Sequence, residues 1–251
     1  QRKVSYSYIR ENGCQRVEEG GEERVMQWEE QNREKTVGEE RISSYLEELS
    51  SHAPVPSGGG ASALSASLAF SLLLMVGNLT LGKARYASYE ERLKKRMKEW
   101  EEAREKSLSF SKEDEKAFIP LAKAYRMKKE TEEEKRIYRE EMEKCLYLAS
   151  EVPFRLLLLC AEEAKSVLEL AKEGSRLALS DVGIAASLLL AAIRGAELNV
   201  RVNTDLMKEE SKKKEREEEV EVAMRACHFL EEAVEVVEEV ILGRVERKRN
   251  C

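Results

Sequence analysis

The most constraining feature of this sequence is a long segment without any charge. Residues 57–82 contain no Asp, Glu, Lys or Arg, although 37% of the whole chain is charged. A helix of about 20 apolar residues can cross a bilayer, so a membrane-spanning segment is one interpretation. However, Ser, Asn and Thr interrupt the segment, and small residues alternate with Leu. This pattern favours the central helix of a bundle, packed on all sides, and we expect no membrane association.

The rest of the chain also favours long helices. It has only 13 Gly and 4 Pro in 251 residues, which leaves few turns for a β-sandwich or barrel. Apolar residues recur at spacings of three and four within 42–49, 86–100 and 220–241. We therefore predict an all-α fold, an up-and-down bundle of long helices.

Several local signals predict where helices begin and end. Ser111 with Asp114 and Thr131 with Glu134 both resemble helix starts. Pro153 is expected to kink or restart a helix, and Gly174 is expected to end one.

The chain is predicted to contain one helical domain, residues 42–245, preceded by a poorly structured or appended tail, residues 1–41. The tail has sparse apolar side chains and many charges of both signs. Near the other end, the charge run 208–219 indicates a solvated helical turn or linker. An apolar seam follows it and could pack on another helix or a partner: Val220, Ala223, Cys227, Leu230, Val234, Val237 and Ile241.

Charge and cysteine usage exclude several classes of protein. The formal net charge is −6, so we expect no nucleic-acid partner. The five cysteines lie far apart without a CxxC pair, which favours a reducing compartment and argues against structural zinc. With only His52 and His228, acid–base chemistry has to come mainly from carboxylates or lysines, and no metal site is predicted.

A run of three glycines, Gly58, Gly59 and Gly60, stands directly before the uncharged helix. Its backbone N–H groups and the positive end of the helix dipole could bind a polar or anionic ligand group. The run lacks the pattern of a phosphate loop or dinucleotide fingerprint, and it could equally be a tight corner between helices.

Four polar residues interrupt otherwise apolar helices: Asn78, Asp181, Asn199 and Asn203. Such side chains either bridge helices or line a polar cleft, because burying them without hydrogen bonds is unfavourable. Asn199 and Asn203 share one helix face and could hold the edge of a planar heterocycle. Asp181 could also be only a helix cap.

Charged residues add three further candidates. Asp114 stands four residues before Phe118 and, taken alone, could simply cap a helix. Lys83 and Arg85, just beyond the uncharged segment, could pair with an acidic ligand or mark its aqueous end.

Together these segments resemble a known family. The chain contains, in order, the sequences APVPSGGGASA from Ala53, MVGNLTLGKARY from Met75, DEKAF from Asp114, SDVGI from Ser180 and NVRVN from Asn199. This order is similar to that of the formiminotransferase-cyclodeaminase family. The similarity covers about residues 42–209.

The resemblance implies a cytoplasmic, all-α folate enzyme that works as a homodimer or larger oligomer, with folate bound near the subunit interface. It implies conversion of 5-formiminotetrahydrofolate to 5,10-methenyltetrahydrofolate with release of ammonia, a step of histidine degradation. Close relatives are methenyltetrahydrofolate cyclohydrolases, which form 10-formyltetrahydrofolate, and this is the first alternative. Neither reaction needs a metal or a cofactor beyond the tetrahydrofolate substrate.

The resemblance also implies residue roles. Asp114 is the expected acid–base carboxylate, with Asp181 as second choice or as a partner that holds the pterin or a helix end. Gly58, Gly59 and Gly60 would donate backbone N–H groups, and Asn78, Asn199 and Asn203 would bind the folate. Lys83 would pair with its glutamate tail. A non-catalytic helical interaction protein is the remaining alternative, although such a scaffold has little use for buried polar residues.

Overall fold

The structure is a computed structural model that describes residues 41–243. Within this range the chain divides at Ser57 into two units, which are described separately. The first unit contains helix α1 (Ile42–Leu49), which ends where the Ser50 N–H donates to the Leu46 carbonyl. The predicted tail, residues 1–41, lies outside the described residues except for Arg41, as do the last two residues of the predicted domain 42–245.

Every regular element in the described residues of the second unit is a helix, which confirms the predicted all-α class. Its α-helices are α2 (Gly58–Thr80), α3 (Glu90–Ala124), α4 (Glu132–Glu173), α5 (Leu179–Thr204), α6 (Glu210–Met224) and α7 (Cys227–Ile241). Short 3₁₀ turns, Ala84–Tyr86 and Arg176–Ala178, precede α3 and α5.

Helices α2 to α5 form an antiparallel four-helix bundle in which α2 neighbours α3 and α5, and α4 neighbours the same two helices. The Trp100 indole N–H of α3 donates to the Ser166 hydroxyl of α4 over 2.8 Å, which fixes the register of that pair. Large apolar side chains fill the centre: Phe70, Leu73, Trp100, Leu157, Leu189 and Ile193. Helix α7 packs against α4 and α5, so most of the seam predicted at 220–241 is satisfied within the chain.

The observed helix ends confirm some boundary signals and correct others. Thr131 and Glu134 form the predicted capping box of α4, and Gly174 is its C-terminal cap. The helix start predicted at Ser111 is wrong, because α3 begins at Glu90 and Asp114 lies well inside it. Of the kink or restart expected at Pro153, the restart is wrong, since α4 continues through this proline.

The three glycines are not a turn before the helix, as predicted, but the first residues of α2 itself. Nor is α2 packed on all sides, because Leu68, Met75 and Leu79 are exposed along one face. Helix α5 likewise exposes Ile184. Two helical stretches, Gly58–Thr80 and Arg176–Thr204, are long and apolar enough to cross a membrane, and each is about half buried within the protein.

Candidate functional site

The carboxylate of Asp114 lies directly against the first turn of α2. An ideal β-carbon built on Gly59 would be 2.5 Å from Cγ of Asp114, closer than real side chains approach one another. Only glycine permits this contact between α2 and α3. The first four backbone N–H groups of a helix have no partner within the helix, and its N-terminus carries partial positive charge. A carboxylate is therefore placed beside a set of backbone donors.

Helix α5 approaches the same end of α2 through two small residues. An ideal β-carbon on Gly195 would collide with the Ser62 side chain, whose hydroxyl donates to the Gly58 carbonyl over 2.8 Å. One turn further along α5, the Asn199 amide nitrogen would be 3.8 Å from a β-carbon on Gly58. Asp114, the start of α2 and Asn199 therefore meet at one end of the bundle, which we call the Gly59 end.

The two asparagines of α5 do not bridge helices. The Asn199 side-chain amide donates to the Gly195 carbonyl, and that of Asn203 donates to the Asn199 carbonyl, both over 2.8 Å. Each bond lies within α5 and fixes the orientation of an amide. The amide oxygens are then the groups that can accept a hydrogen bond from a ligand.

Charged residues around the Gly59 end form ion pairs. Glu115 is only 1% exposed, and its carboxylate lies 3.1 Å from the Lys112 ammonium group. Arg155 of α4 pairs with Glu113 at 2.8 Å, and Arg201 pairs with Glu197 at 3.0 Å.

Sequence reasoning did not single out Glu115 or Gly195. Glu115 follows Asp114 directly, and the sequence alone does not show which face of the helix it occupies. Its carboxylate would therefore be expected to face solvent. Gly195 stands four residues before Asn199, a spacing that places both on one face of α5 and could have indicated a close helix contact.

Three of the predicted site residues lie at the opposite end of the bundle. Asn78 is about 28 Å from Gly59 along α2, and Asp181 is about 27 Å from Asn199 along α5, at 1.5 Å per residue. Lys83 follows α2. The Ser175 N–H donates to the Thr80 hydroxyl over 3.0 Å, which joins the end of α2 to the segment before α5. We call this region the Lys83 end.

The Lys83 end is rich in cations without carboxylate partners. The Arg176 N–H donates to the Tyr86 hydroxyl over 3.2 Å, which brings Arg176 beside the 3₁₀ turn that follows Lys83. Within residues 41–243, Lys83, Arg85 and Arg176 form no ion pair. Asp181 lies in the first turn of α5, where its negative charge is favourable beside the positive end of the helix dipole.

Other chemistry-bearing groups lie away from both ends. In the described part of the chain no three His, Cys, Asp or Glu side chains are grouped as metal ligands would be. Cys145, Cys160 and Cys227 are free and buried, and burial raises the pKa of the Cys160 thiol well above its usual range. A buried thiol of this kind is a poor nucleophile.

Comparison with known proteins agrees with this fold. Methenyltetrahydrofolate cyclohydrolase from Methylorubrum extorquens is 33% identical over 198 residues, which cover 79% of this chain and 95% of the relative. Formimidoyltransferase-cyclodeaminase from Gallus gallus is 27% identical over 192 residues, 76% of this chain. That match spans only about a third (34%) of the bifunctional relative's own length.

The solved structure of formiminotetrahydrofolate cyclodeaminase from Thermotoga maritima superposes with a TM-score of 0.72 at 26% identity. The match covers 83% of this chain and 99% of that one. A sequence model of the formiminotransferase-cyclodeaminase family matches residues 41–222, well over half of the chain. The chain therefore belongs to the formiminotransferase-cyclodeaminase family, and is an enzyme of the cyclohydrolase and cyclodeaminase type.

Proposed function

We propose that this protein is a methenyltetrahydrofolate cyclohydrolase, which opens 5,10-methenyltetrahydrofolate with water to give 10-formyltetrahydrofolate. The observation that carries this choice is the 33% identity with a stand-alone cyclohydrolase, over 95% of that enzyme's length. The sequence alone favours the cyclodeaminase reaction first and the cyclohydrolase second. We reverse that order because the bifunctional relatives are less similar and match over about a third of their length.

The Gly59 end provides the groups that this reaction requires. Water attacks the methenyl carbon, and Asp114 accepts a proton as the new C–O bond forms. Asp114 then returns that proton to N5 as the C–N5 bond breaks, and the hydroxyl proton leaves to solvent. One water is consumed and one proton is released. A carboxylate at this position also stabilises the cationic methenyl group electrostatically.

The remaining groups of the Gly59 end would bind and orient the folate. We propose that backbone N–H groups of Gly58, Gly59 and Gly60 donate to it, and that Asn199 and Asn203 accept from the pterin or its neighbours. Bonds within α5 fix the asparagine amides, so little rotational freedom is lost when substrate binds.

The cyclodeaminase reaction is the second candidate, favoured by the superposition with the Thermotoga maritima enzyme. Here N10 attacks the formimino carbon and loses its proton to Asp114, and the departing nitrogen takes up a proton and leaves as ammonia. Both reactions place the carboxylate at the same one-carbon centre. If this reaction is the one catalysed, we propose a role in histidine degradation.

Further properties are proposed on the same grounds. We propose a cytoplasmic homodimer that needs no cofactor beyond the tetrahydrofolate substrate, and that binds neither nucleic acid nor membranes. The free buried cysteines support a reducing compartment, and the net charge of −6 argues against nucleic-acid binding. The apolar face of α2 and α5 supports self-association.

An absorbance assay tests the choice of reaction. The purified chain is offered 5,10-methenyltetrahydrofolate in one cuvette and 5-formiminotetrahydrofolate in another, and the methenyl absorbance band is followed. Decay faster than the uncatalysed rate in the first cuvette, without ammonia release in the second, is the expected result. Growth of the band in the second cuvette with release of ammonia would establish a cyclodeaminase. No turnover in either would favour the non-catalytic interaction protein.

The role of Asp114 is tested by the isosteric variant Asp114→Asn. We expect kcat to fall by about 10²- to 10⁴-fold, because an amide cannot accept the proton. The matched control is Glu113→Gln, which removes a neighbouring carboxylate that is already paired with Arg155. Full turnover by Asp114→Asn would remove this residue from the mechanism.

A further inference from the structure

Ser111 carries a buried hydroxyl group that no hydrogen bond satisfies. The residue lies inside α3 with 0% of its surface exposed, and within the described residues its Oγ has no hydrogen-bond partner. Burying such a group is unfavourable, so its presence calls for an explanation. We propose that Ser111 is a positioning residue, which donates a hydrogen bond to the Asp114 carboxylate when folate is bound. This inference rests on the proposed function and adds a second residue to its acid–base group.

Other buried helix serines make the bond that Ser111 lacks. Ser107, one turn earlier on α3, is equally buried, and its hydroxyl donates to the Ala103 carbonyl over 2.8 Å. Ser150 of α4 is also fully buried and donates to the Tyr147 carbonyl over 2.7 Å. A carbonyl three or four residues earlier is the usual acceptor for a hydroxyl inside a helix. Because Ser111 makes no such bond, its proton is available to another acceptor.

The helix register turns Ser111 toward α2. Residues seven apart lie on nearly the same face of packed helices, and Met97, Arg104 and Ser111 have this spacing on α3. An ideal β-carbon on Gly77 of α2 would be 2.7 Å from the Met97 sulfur. The Ser67 hydroxyl of α2 donates to the Arg104 carbonyl over 3.4 Å. Since both earlier positions contact α2, Ser111 faces the same helix near its start, at the Gly59 end.

Asp114 is the acceptor best placed to receive the hydrogen bond. It follows Ser111 by three residues, a spacing at which the β-carbons of a helix lie about 5–6 Å apart. Helix side chains lean toward the N-terminus, so the Asp114 carboxylate leans over the turn that contains Ser111. The carboxylate lies against the first turn of α2, where Gly59 leaves room for it. Rotation about the Asp114 side-chain bonds can bring one of its oxygens to the Ser111 hydroxyl.

Glu115 is the other carboxylate within reach of Ser111, but it already holds a cation. Its two oxygens lie 3.4 and 3.1 Å from the Lys112 ammonium group, and the residue is only 1% exposed. Bulk water is not an alternative acceptor, because the Ser111 Oγ is closed to solvent. We therefore assign the hydrogen bond to Asp114.

This hydrogen bond orients the acid–base group for proton transfer. Ser111 holds one carboxylate oxygen of Asp114, and the other oxygen stays free to exchange a proton at the one-carbon centre. Ser111 keeps its own proton throughout. Cyclohydrolase and cyclodeaminase chemistry place Asp114 at the same centre, so the positioning role is the same for both reactions.

Stability and turnover should respond differently when the hydroxyl is removed. Ser111→Ala deletes a buried group that has no partner in the free protein, so the melting temperature is expected to stay the same or rise. We expect kcat to fall about 10- to 100-fold, as for loss of a hydrogen bond to a charged group, and KM to change less than about twofold. The matched control Ser107→Ala should keep the wild-type kcat, because its hydroxyl is satisfied within α3. Wild-type kcat in Ser111→Ala would overturn the proposal.

The Asp114→Asn background identifies the group through which Ser111 acts. If the hydroxyl works through the Asp114 carboxylate, adding Ser111→Ala to Asp114→Asn should lower kcat by less than about twofold more. A further fall of about 10-fold in this background would mean that the hydroxyl acts through another group, such as Glu115, and would overturn the assignment.

A crystal structure of the complex with 5-formyltetrahydrofolate, a stable one-carbon folate, tests the hydrogen bond without turnover. We expect the Ser111 Oγ within about 2.5–3.0 Å of an Asp114 carboxylate oxygen. An inactive wild-type chain that shows this bond would contradict the enzyme activity but support the inference. An active chain whose complex lacks the bond would support the activity and overturn the positioning role. No folate at the Gly59 end would contradict both.

Discussion

Gly59 is the residue with the least freedom to change at the candidate site. Its α-carbon lies against the carboxylate of Asp114, and a β-carbon there would be 2.5 Å from Cγ. We expect Gly59→Ala to displace the carboxylate and to lower kcat/KM at least tenfold, since small displacements of a catalytic group have large effects on rate. Steady-state turnover and the melting temperature are the measurements.

The neighbouring glycine provides the contrast. A β-carbon on Gly58 would meet only the Asn199 amide nitrogen at 3.8 Å, an ordinary van der Waals distance. Gly58→Ala keeps the backbone N–H, so we expect it to retain most of the turnover. Equal losses from both variants would mean that the contact between Gly59 and Asp114 is not the reason for glycine at this position.

The role of Asp114 could be predicted only in part before the bounds of its helix were known. With a helix start predicted at Ser111, this acid could be explained as a cap. Helix α3 begins at Glu90, so Asp114 lies more than 20 residues beyond the start of α3 and does not cap that helix. The family motif and the contact between α2 and α3 both single out Asp114. Only the fold identifies Gly59 as its neighbour.

At the scale of single elements, α6 departs most from its sequence pattern. The run 208–219 predicts a solvated turn or linker, whereas most of it belongs to a regular helix with Arg216 buried. The Arg216 guanidinium lies 4.0 Å from the centre of the Phe154 ring and 2.7 Å from a carboxylate oxygen of Glu151. A charged side chain thus takes the position that an apolar residue would occupy in an ordinary amphipathic helix.

We expect Arg216→Ala to lower the free energy of unfolding by about 2 kcal/mol, because it removes the ion pair and the packing on Phe154. Urea denaturation measures the change. Arg216→Met keeps an unbranched side chain over the ring and should recover at least half of the loss. Arg136→Ala, which removes only exposed pairs on α4, is expected to leave the free energy of unfolding nearly unchanged. An Arg216→Ala variant as stable as the wild type would show that the contacts of Arg216 with Phe154 and Glu151 do not stabilise the fold.

The helices themselves could largely be predicted from the sequence, and their boundaries less so. Thr131 and Glu134 form the capping box because that signal is local and depends on no other element. Ser111 does not start a helix and Pro153 does not restart one, because tertiary packing overrides weak local signals. Ser111 lies buried inside α3, and Pro153 lies buried inside α4. Which face of α2 stays exposed could not be predicted, since its apolar residues surround the helix almost evenly.

At the scale of the whole molecule, the bundle topology separates the predicted site residues. In an up-and-down bundle the start of α2 and the end of α5 share one end, while Asn78, Lys83 and Asp181 share the other. This division follows from the predicted topology once the helix boundaries are correct. The false start at Ser111 concealed it, because it placed Asp114 at the beginning of a helix rather than in the second half of a long one.

Stability of the whole bundle should also depend on one partly buried acid of α4. Burial raises the pKa of Glu163 above its usual value and Glu99 raises it further, whereas the Ser166 hydroxyl, 3.0 Å away, and Arg96 oppose this. An acid whose pKa is higher in the folded state destabilises that state at a pH above the raised value, where it must ionise while partly buried. At pH values below the unfolded pKa of glutamate the acid is protonated in both states and this destabilisation disappears.

We therefore expect Glu163→Gln to unfold at a higher temperature than the wild type at pH 7, because it keeps a hydrogen-bond acceptor for Ser166 and carries no charge. The difference between the two proteins should shrink as pH falls toward 4, through the usual glutamate range, since protonation neutralises the wild-type side chain. Melting temperatures across this pH range measure it. Glu162→Gln, at the exposed neighbouring position, is the matched control. A Glu163→Gln variant that is less stable at every pH would mean that the hydrogen bond to the carboxylate outweighs the effect of burial.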